Sequence, residues 1–152
     1  MKEFVVRPAT MSDLDVLLRF EQGVIKAERP FDPTLAADPI SYYDLKKLIE
    51  SEDAQVLVVT KSNVIVASGY ARIKAARHYL DHELYSYLGF MYTRPDFRGK
   101  GINKIIIDAL KKWSAAKGLK EIRLTVYDEN RDAIRAYEKV GFKKHIIEMR
   151  LE

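Results

Sequence analysis

Hydrophobic and polar positions along the chain follow two rhythms, one near two residues and one near 3.6, and their succession predicts the elements. Glu3 to Arg7 alternates weakly, is rich in strand-forming residues and is stopped by Pro8, so it predicts a strand. Thr10 or Ser12 then stands as a helix cap, with Asp13 and Asp15 in the first turn. Leu14, Leu17, Leu18, Val24 and Ile25 give that helix an apolar face. Glu28 to Pro39 holds three prolines and two aspartates and predicts an ordered loop. Ser41 is the expected cap of a short second helix carrying Tyr42, Leu45, Leu48 and Ile49 on one side. Gln55 to Thr60 and Val64 to Ile73 predict two strands joined by the turn residues Lys61-Ser62-Asn63, a hairpin.

His82 to Thr93 predicts a long aromatic strand, interrupted near Gly89 and ended by Pro95. A glycine inside a strand often marks a bulge. Ile102 to Lys117 is the clearest helix, with Ile102, Ile105, Ile106, Ala109, Leu110 and Trp113 at helical spacing and Gly118 just past its end. Glu121 to Tyr127 predicts a strand, Asn130 to Val140 a helix, and Phe142 to Leu151 a closing strand or hairpin arm. Hairpins mixed with βα units imply an α/β (α+β) layered fold with a mixed, mostly antiparallel sheet flanked by helices.

Length changes this picture only by limiting it. The 152 residues suit a single domain, 1–152, and a chain of this size buries roughly two-thirds of its unfolded surface. No cysteine is present, which excludes disulfides, thiolate zinc sites and a cysteine nucleophile. The first residues lack the apolar core of a signal peptide and no apolar run approaches a membrane span, so the expected location is cytoplasmic, with no membrane partner. Net charge is +4, which admits an anionic partner, either nucleic acid or a phosphorylated cofactor.

The chemistry concentrates in Thr93-Arg94-Pro95-Asp96-Phe97-Arg98-Gly99-Lys100-Gly101-Ile102-Asn103. Here a strand ends, a short loop carries two glycines and several cations, and a strong helix begins. The first turn of a helix has N–H groups without partners, and its dipole favours an anion. Glycines let a ligand approach the backbone. Together these make a pyrophosphate cradle. A Walker A loop is excluded, because Lys100 is followed by Gly101 rather than Ser or Thr; a Rossmann fingerprint would need a third glycine.

The loop resembles motif A of the GNAT superfamily of N-acetyltransferases, Arg/Gln-x-x-Gly-x-Gly/Ala. Arg98 and Gly101 match its first and fourth positions, and Asn103 departs from its last. Asn130-x-x-Ala133-x-x-x-Tyr137-Glu138-Lys139-x-Gly141-Phe142 is similar to motif B of the same superfamily. The intervening helix and strand match as well, and the order of elements fits over the whole chain.

The resemblance implies acetyl-CoA as cofactor and no metal. It implies a cleft between the strand ending at Thr93 and the strand from Glu121, with the pantetheine arm bonded near Met91 and Thr93. The pyrophosphate would sit on Arg98, Gly99, Lys100, Gly101, Ile102 and Asn103, and Asn130 would lie beside the arm. Tyr137 would point at the thioester sulfur. A phenol with a reference pKa of about 10 can donate to a departing thiolate whose own value is about 8.5. A backbone N–H near Met91 would serve the oxyanion.

The base that frees the amine is read as Glu83, which lies early on the strand of Met91 and could relay a proton through water. Tyr85 and Tyr87 share its strand face, and Tyr87 is expected at the acceptor. Glu28 and Asp32, in the loop after the first helix, would suit a cationic amine. His78, Asp81, His82 and Glu83 form a polar cluster read as a solvated loop.

The expected activity is acetyl transfer to a primary amine on a small molecule or a peptide or protein, with a non-catalytic CoA-binding module as the alternative. A nucleic-acid partner is not expected, because Lys104, Lys111 and Lys112 share a helix with Asp108, and Arg131 and Arg135 sit beside Asp132 and Glu138. Monomer and homodimer both remain open.

Overall fold

A computed structural model describes residues 3–152. Its centre is a five-stranded sheet in the order β1-β2-β3-β4-β5. Strands β1 (Phe4–Pro8), β2 (Ala54–Lys61), β3 (Val64–Ala75) and β4 (Leu84–Thr93) run antiparallel, and β5 (Ile122–Leu124) joins parallel to β4. The mixed sheet implied by hairpins plus βα units is therefore present. The β2–β3 hairpin turns on Ser62 and Asn63, both at positive φ, the conformation a tight two-residue hairpin requires.

Helices cover both faces, which explains the unbroken apolar run of β2. Val56 and Val58 face α1 (Leu14–Glu28) and α2 (Leu45–Glu50), in a core with Leu17, Phe20, Val24, Leu45, Tyr70 and Phe90. Leu57 and Val59 face α3 (Ile102–Ala116), in a core with Phe4, Ala67, Ala71, Leu88, Ile102, Ile106 and Leu110. A buried hydrogen bond of 2.7 Å from Ser114 to Ser86 ties α3 to β4. On α1, Leu18 is exposed and Phe20 is buried in its place.

The entry to α1 is fixed by a capping box. Thr10 N donates to Asp13 Oδ2 at 2.8 Å, and the Arg7 guanidinium forks onto both Asp13 oxygens at 2.8 and 3.0 Å. Arg7 and Thr10 hold the Asp13 carboxyl below its usual value.

Three expectations are corrected. First, α2 starts after Asp44, whose side chain accepts from Lys47 N, and not at Ser41. The cause is Glu21, buried on α1, whose Oε2 takes the N–H groups of Tyr42 and Tyr43 at 2.8 and 2.7 Å and holds that stretch extended. Second, β5 is bonded only over Ile122–Leu124, because β4 bulges beyond Leu88 and leaves 125–127 without a ladder partner. Third, 142–151 is neither strand nor hairpin arm. Phe142 packs near Tyr137 and the α3-side core, and residues 143–152 run exposed.

Candidate cofactor and acceptor cleft

The bulge in β4 opens the site. Ser68 pairs with Tyr92, but Tyr70 pairs with Gly89, so β4 carries one extra residue. Phe90 sits there at φ 56°, and its carbonyl accepts from the Ser68 hydroxyl at 3.2 Å. A Cβ on Gly89 would lie 2.7 Å from the Tyr70 ring, which is why that position carries glycine. Past the bulge, β4 and the segment after β5 part. Between them lies a cleft of about 890 Å³, lined by Met91 to Thr93 on one side and by Thr125 and Val126 on the other. That volume suits a cofactor-sized ligand.

The sequence-predicted cradle lies at one end of this cleft. Gly99 and Gly101 take φ of 75° and 80°, a left-handed conformation that glycine adopts without strain. Gly101 is the N-cap of α3 and no side chain caps the helix. The N–H groups of Ile102, Asn103 and Lys104 thus precede the first intrahelical bond, from Ile105 N to Gly101 O, without a side-chain partner. Gly99, Gly101, Ile102, Asn103 and Arg98 all line the cleft. The Arg98 Nε donates to Thr93 O at 3.0 Å, which braces the loop against the end of β4. Lys100 is exposed, with its Nζ 5.3 Å from the Phe97 ring centroid. A helix start with open donors, a positive dipole end and glycine at its mouth fits a diphosphate.

The other end holds Tyr137, Asn130 and Glu28. Asn130 Oδ1 accepts from Ala133 N at 3.3 Å and so caps α4 (Arg131–Lys139). Its place in the cleft is thus set by helix capping. Tyr137 projects from α4, and burial, reinforced by the charges of Glu28 and Tyr87, pushes its hydroxyl up to about 12. It keeps its proton at neutral pH and so has a hydrogen to donate.

Glu28, at the end of α1, is the hub of this end. Burial raises its carboxyl and the charge of Asp32 adds to the rise. Burial raises the hydroxyls of Tyr42, Tyr43, Tyr127 and Tyr137, and the charge of Glu28 adds to each rise. The Tyr42 hydroxyl is buried beside it and closes no hydrogen bond of standard geometry among the described residues. A half-buried carboxylate ringed by phenols can accept a proton and attract a cation.

Some expected residues are placed elsewhere. Glu83 is exposed at the start of β4, eight residues before Met91 and roughly 26 Å along the strand, so a water relay from it to the cleft is not available. Asp32 does not line the cleft. It accepts from Thr34 N and the Thr34 hydroxyl and, at 2.7 Å, from the Tyr127 hydroxyl, which together hold it at about 2. With Phe31 stacked on Tyr127 at 6.3 Å, it latches the loop after α1 onto the chain after β5. Tyr87 lies on the α1/α2 face of β4 with Lys74 Nζ 3.9 Å from its ring centroid, and its influence reaches Tyr137. His82 pairs with Asp81 at 2.9 Å in the turn before β4. Glu21, Tyr42, Tyr43 and Tyr127 carried no sequence signal of a role; folding brings the three tyrosines within reach of the Glu28 charge and seats Tyr42 and Tyr43 on Glu21.

A parted sheet whose gap is flanked by an uncapped glycine-led helix and a proton-bearing tyrosine offers an anion site and a hydroxyl donor on one cleft. Residues 22–142 match the model of the Acetyltransferase (GNAT) family. The chain belongs to that family. An acetyltransferase of Pectobacterium atrosepticum is 29% identical over 103 residues, covering 66% of this chain and 65% of that one. The chain thus spans just under two-thirds of that relative's length. A mutant of a Bacillus halodurans protein superposes with a TM-score of 0.86 at 21% identity, over 97% of this chain and 98% of that one. A Clostridium acetobutylicum protein described as a predicted acetyltransferase, solved with acetyl-CoA, superposes with a TM-score of 0.72 at 19% identity, over 98% of this chain and 96% of that one. Among the described residues no helix is long and apolar enough to cross a membrane, and no three His, Asp or Glu side chains gather as metal ligands.

Proposed function

We propose that residues 1–152, as one acetyltransferase domain, move acetyl from acetyl-CoA to a primary amine on a small molecule or peptide. One observation carries this reading: the open N-terminus of α3, Tyr137 and Glu28 line one cleft between parted strands. The Clostridium acetobutylicum protein of the same fold, solved with acetyl-CoA, supports it. When bound, the cofactor supplies an acetyl thioester.

The chain's own groups then have distinct tasks. The N–H groups of Ile102 and Asn103, with Gly99, Lys100, Gly101 and Arg98 around them, hold the diphosphate. Met91, Thr93 and Asn130, which line the cleft, would flank the arm, and the Met91 N–H would meet developing negative charge on a carbonyl oxygen. Tyr137 donates its phenolic hydrogen to the departing sulfur. Glu28, in place of Glu83, takes the proton from the acceptor ammonium. A free alkylamine has a pKa near 10.4 and is mostly protonated at neutral pH, so a carboxylate with raised affinity for protons, set in the same cleft, suits the task. Asp32 acts through Tyr127 as a positioning residue, and Tyr87 supports the wall behind Tyr137.

Tyr137→Phe tests the assignment in an amine panel that detects released thiol. Transfer should fall by 10²-fold or more, on the order of a lost general acid, while CoA binding holds. A parent chain that binds CoA yet acetylates no amine in the panel would establish the non-catalytic alternative.

A further inference from the structure

We infer that the acceptor is an amine whose far end carries an anionic group, and that Lys74 and Arg72 hold that group. This names the substrate class of the acetyl transfer proposed above and rests on that reading.

Strand alternation sets the cations. On β3, Tyr70, Arg72 and Lys74 fall on one face. It is the α1/α2 face, because the Tyr70 ring lies in that core. Across the ladder Arg72 pairs with Tyr87 and Lys74 with Tyr85, and on the other side of β4 Arg123 pairs with Tyr87. One stretch of sheet thus carries three cations among tyrosines. Arg123 is already partnered, since its Nε donates to Glu121 Oε2 at 2.9 Å. Lys74 and Arg72 are not: among the described residues neither has a carboxylate within ion-pair distance. Lys74 is half-buried, with its Nζ 3.9 Å from the centroid of the Tyr87 ring. Burial, and then the charge of Arg72, hold its ammonium below the usual value. Two like charges side by side, one partly withdrawn from water, cost stability. An anion set between them relieves both costs.

The pair adjoins the acceptor end of the cleft. Tyr87 stands close enough to Tyr137 for its charge to add to the rise of that hydroxyl, as the charge of Glu28 does. The path from Glu28 past Tyr137 and Tyr87 to Lys74 therefore runs from negative to positive. A simple amine is attracted at one end only, and a diamine is repelled at the other. A zwitterion matches both ends. Met91 lies four residues beyond Tyr87, roughly 13 Å along β4, so the two charges of the acceptor stand on the order of 10 Å apart. An α-amino acid, with both groups on one carbon, is too short. Three extended peptide residues, at roughly 3.4 Å each, fit.

Triglycine and triglycine amide present one amine with and without the anion. An eight-carbon ω-amino acid and octylamine repeat the comparison without peptide bonds. In the thiol-release assay the acid of at least one pair should exceed its uncharged partner about ten-fold in kcat/KM, the size of one charged hydrogen bond. A preference in the first pair alone marks a peptide as the source of the anion; a preference in the second marks a free amino acid. Lys74→Met with Arg72→Met should bring acid and uncharged partner to parity, whereas Lys74→Arg keeps the charge and should keep the preference. Equal rates within both pairs would overturn the inference. So would a preference that survives the double Met variant, or one lost equally in Lys74→Arg. A parent that acetylates none of the four compounds fails the acetyl-transfer reading instead. Calorimetry of triglycine and its amide on the CoA-saturated chain then decides the question of charge: tighter binding of the acid upholds the inference, and equal binding or none overturns it.

Discussion

Glu21 is the buried carboxylate that holds the Tyr42–Tyr43 stretch extended, and removing it gives a sharp expectation. Its Oε2 accepts from Tyr42 N and Tyr43 N at 2.8 and 2.7 Å, and the residue is 1% exposed. A hydrogen bond to a charged group contributes about 1.5–3 kcal/mol, and a donor left unpaired in a buried place costs about 1–3 kcal/mol. Water can reach part of the space left by Glu21→Ala, so a loss of about 3 kcal/mol is expected. That is a large share of the roughly 5–15 kcal/mol that holds a domain together. For a chain of this length it lowers Tm by roughly 6–12 °C. Glu21→Gln keeps one carbonyl oxygen for the same donors and should lose about half as much. The functional effect should be one-sided. Tyr42 and Tyr43 surround Glu28, while the α3 cradle touches none of them. In the Gln variant acceptor KM should rise about five-fold, equivalent to about 1 kcal/mol, with CoA affinity unchanged. Thermal melts by circular dichroism and titration calorimetry with CoA measure both halves. An Ala variant melting within about 2 °C of the parent, below about 1 kcal/mol, would refute the clamp; a Gln variant in which CoA affinity and acceptor KM shift together would refute the division of the cleft.

Glu28→Gln should abolish the acidic limb of the kcat/KM profile. The raised carboxyl is protonated below its folded value and active as a base above it, so the parent's limb should lie above the ordinary glutamate value of about 4.3. The same rise means that Glu28 costs stability as pH climbs through that window, so the Gln variant should be no less stable than the parent at pH 7 in urea titration. Gly101→Val forces a branched residue to φ 80° at the mouth of α3 and should weaken CoA binding at least ten-fold by calorimetry while leaving the fold intact. Asp13→Asn removes a carboxylate held low by Arg7. The parent gains stability from it above the unfolded value of about 3.9 and loses it as pH falls through the folded one, so the variant should show a flatter acid limb in pH-dependent melts.

The cradle was legible because its physics is local. Glycines at 99 and 101, a strand stop at Pro95 and the apolar spacing from Ile102 state a loop and a helix start without help from the rest of the chain. Helix α4 was legible for the same reason, through Asn130 and Gly141. Glu21 was not. Between Phe20 and Gln22 it reads as an ordinary helix-surface carboxylate, and its partners are backbone groups more than twenty residues on. Its grip on Tyr42 and Tyr43 also explains why Ser41 looked like a cap and is not one. That Glu83 stands far from the cleft while Glu28 lines it was not legible either, because distance along a strand, and the packing of a helix end onto a cleft, are set by tertiary structure. The shortness of β5 follows from its neighbour, not from its own residues.

The extra residue in β4 also constrains what can be done to this chain. Before it, Ser86 and Leu88 look toward α3; after it, Phe90 and Tyr92 look toward α1. The bulge thus works as a parity switch. Deleting Phe90 would remove the extra residue and restore plain alternation: Tyr92 would keep Ser68 as its partner and its place against Phe20, but the bend that parts β4 from the chain after β5 would be lost. What the extra residue supplies is thus the gap itself, and grafts from related chains will keep the cleft open only when they carry that residue with them.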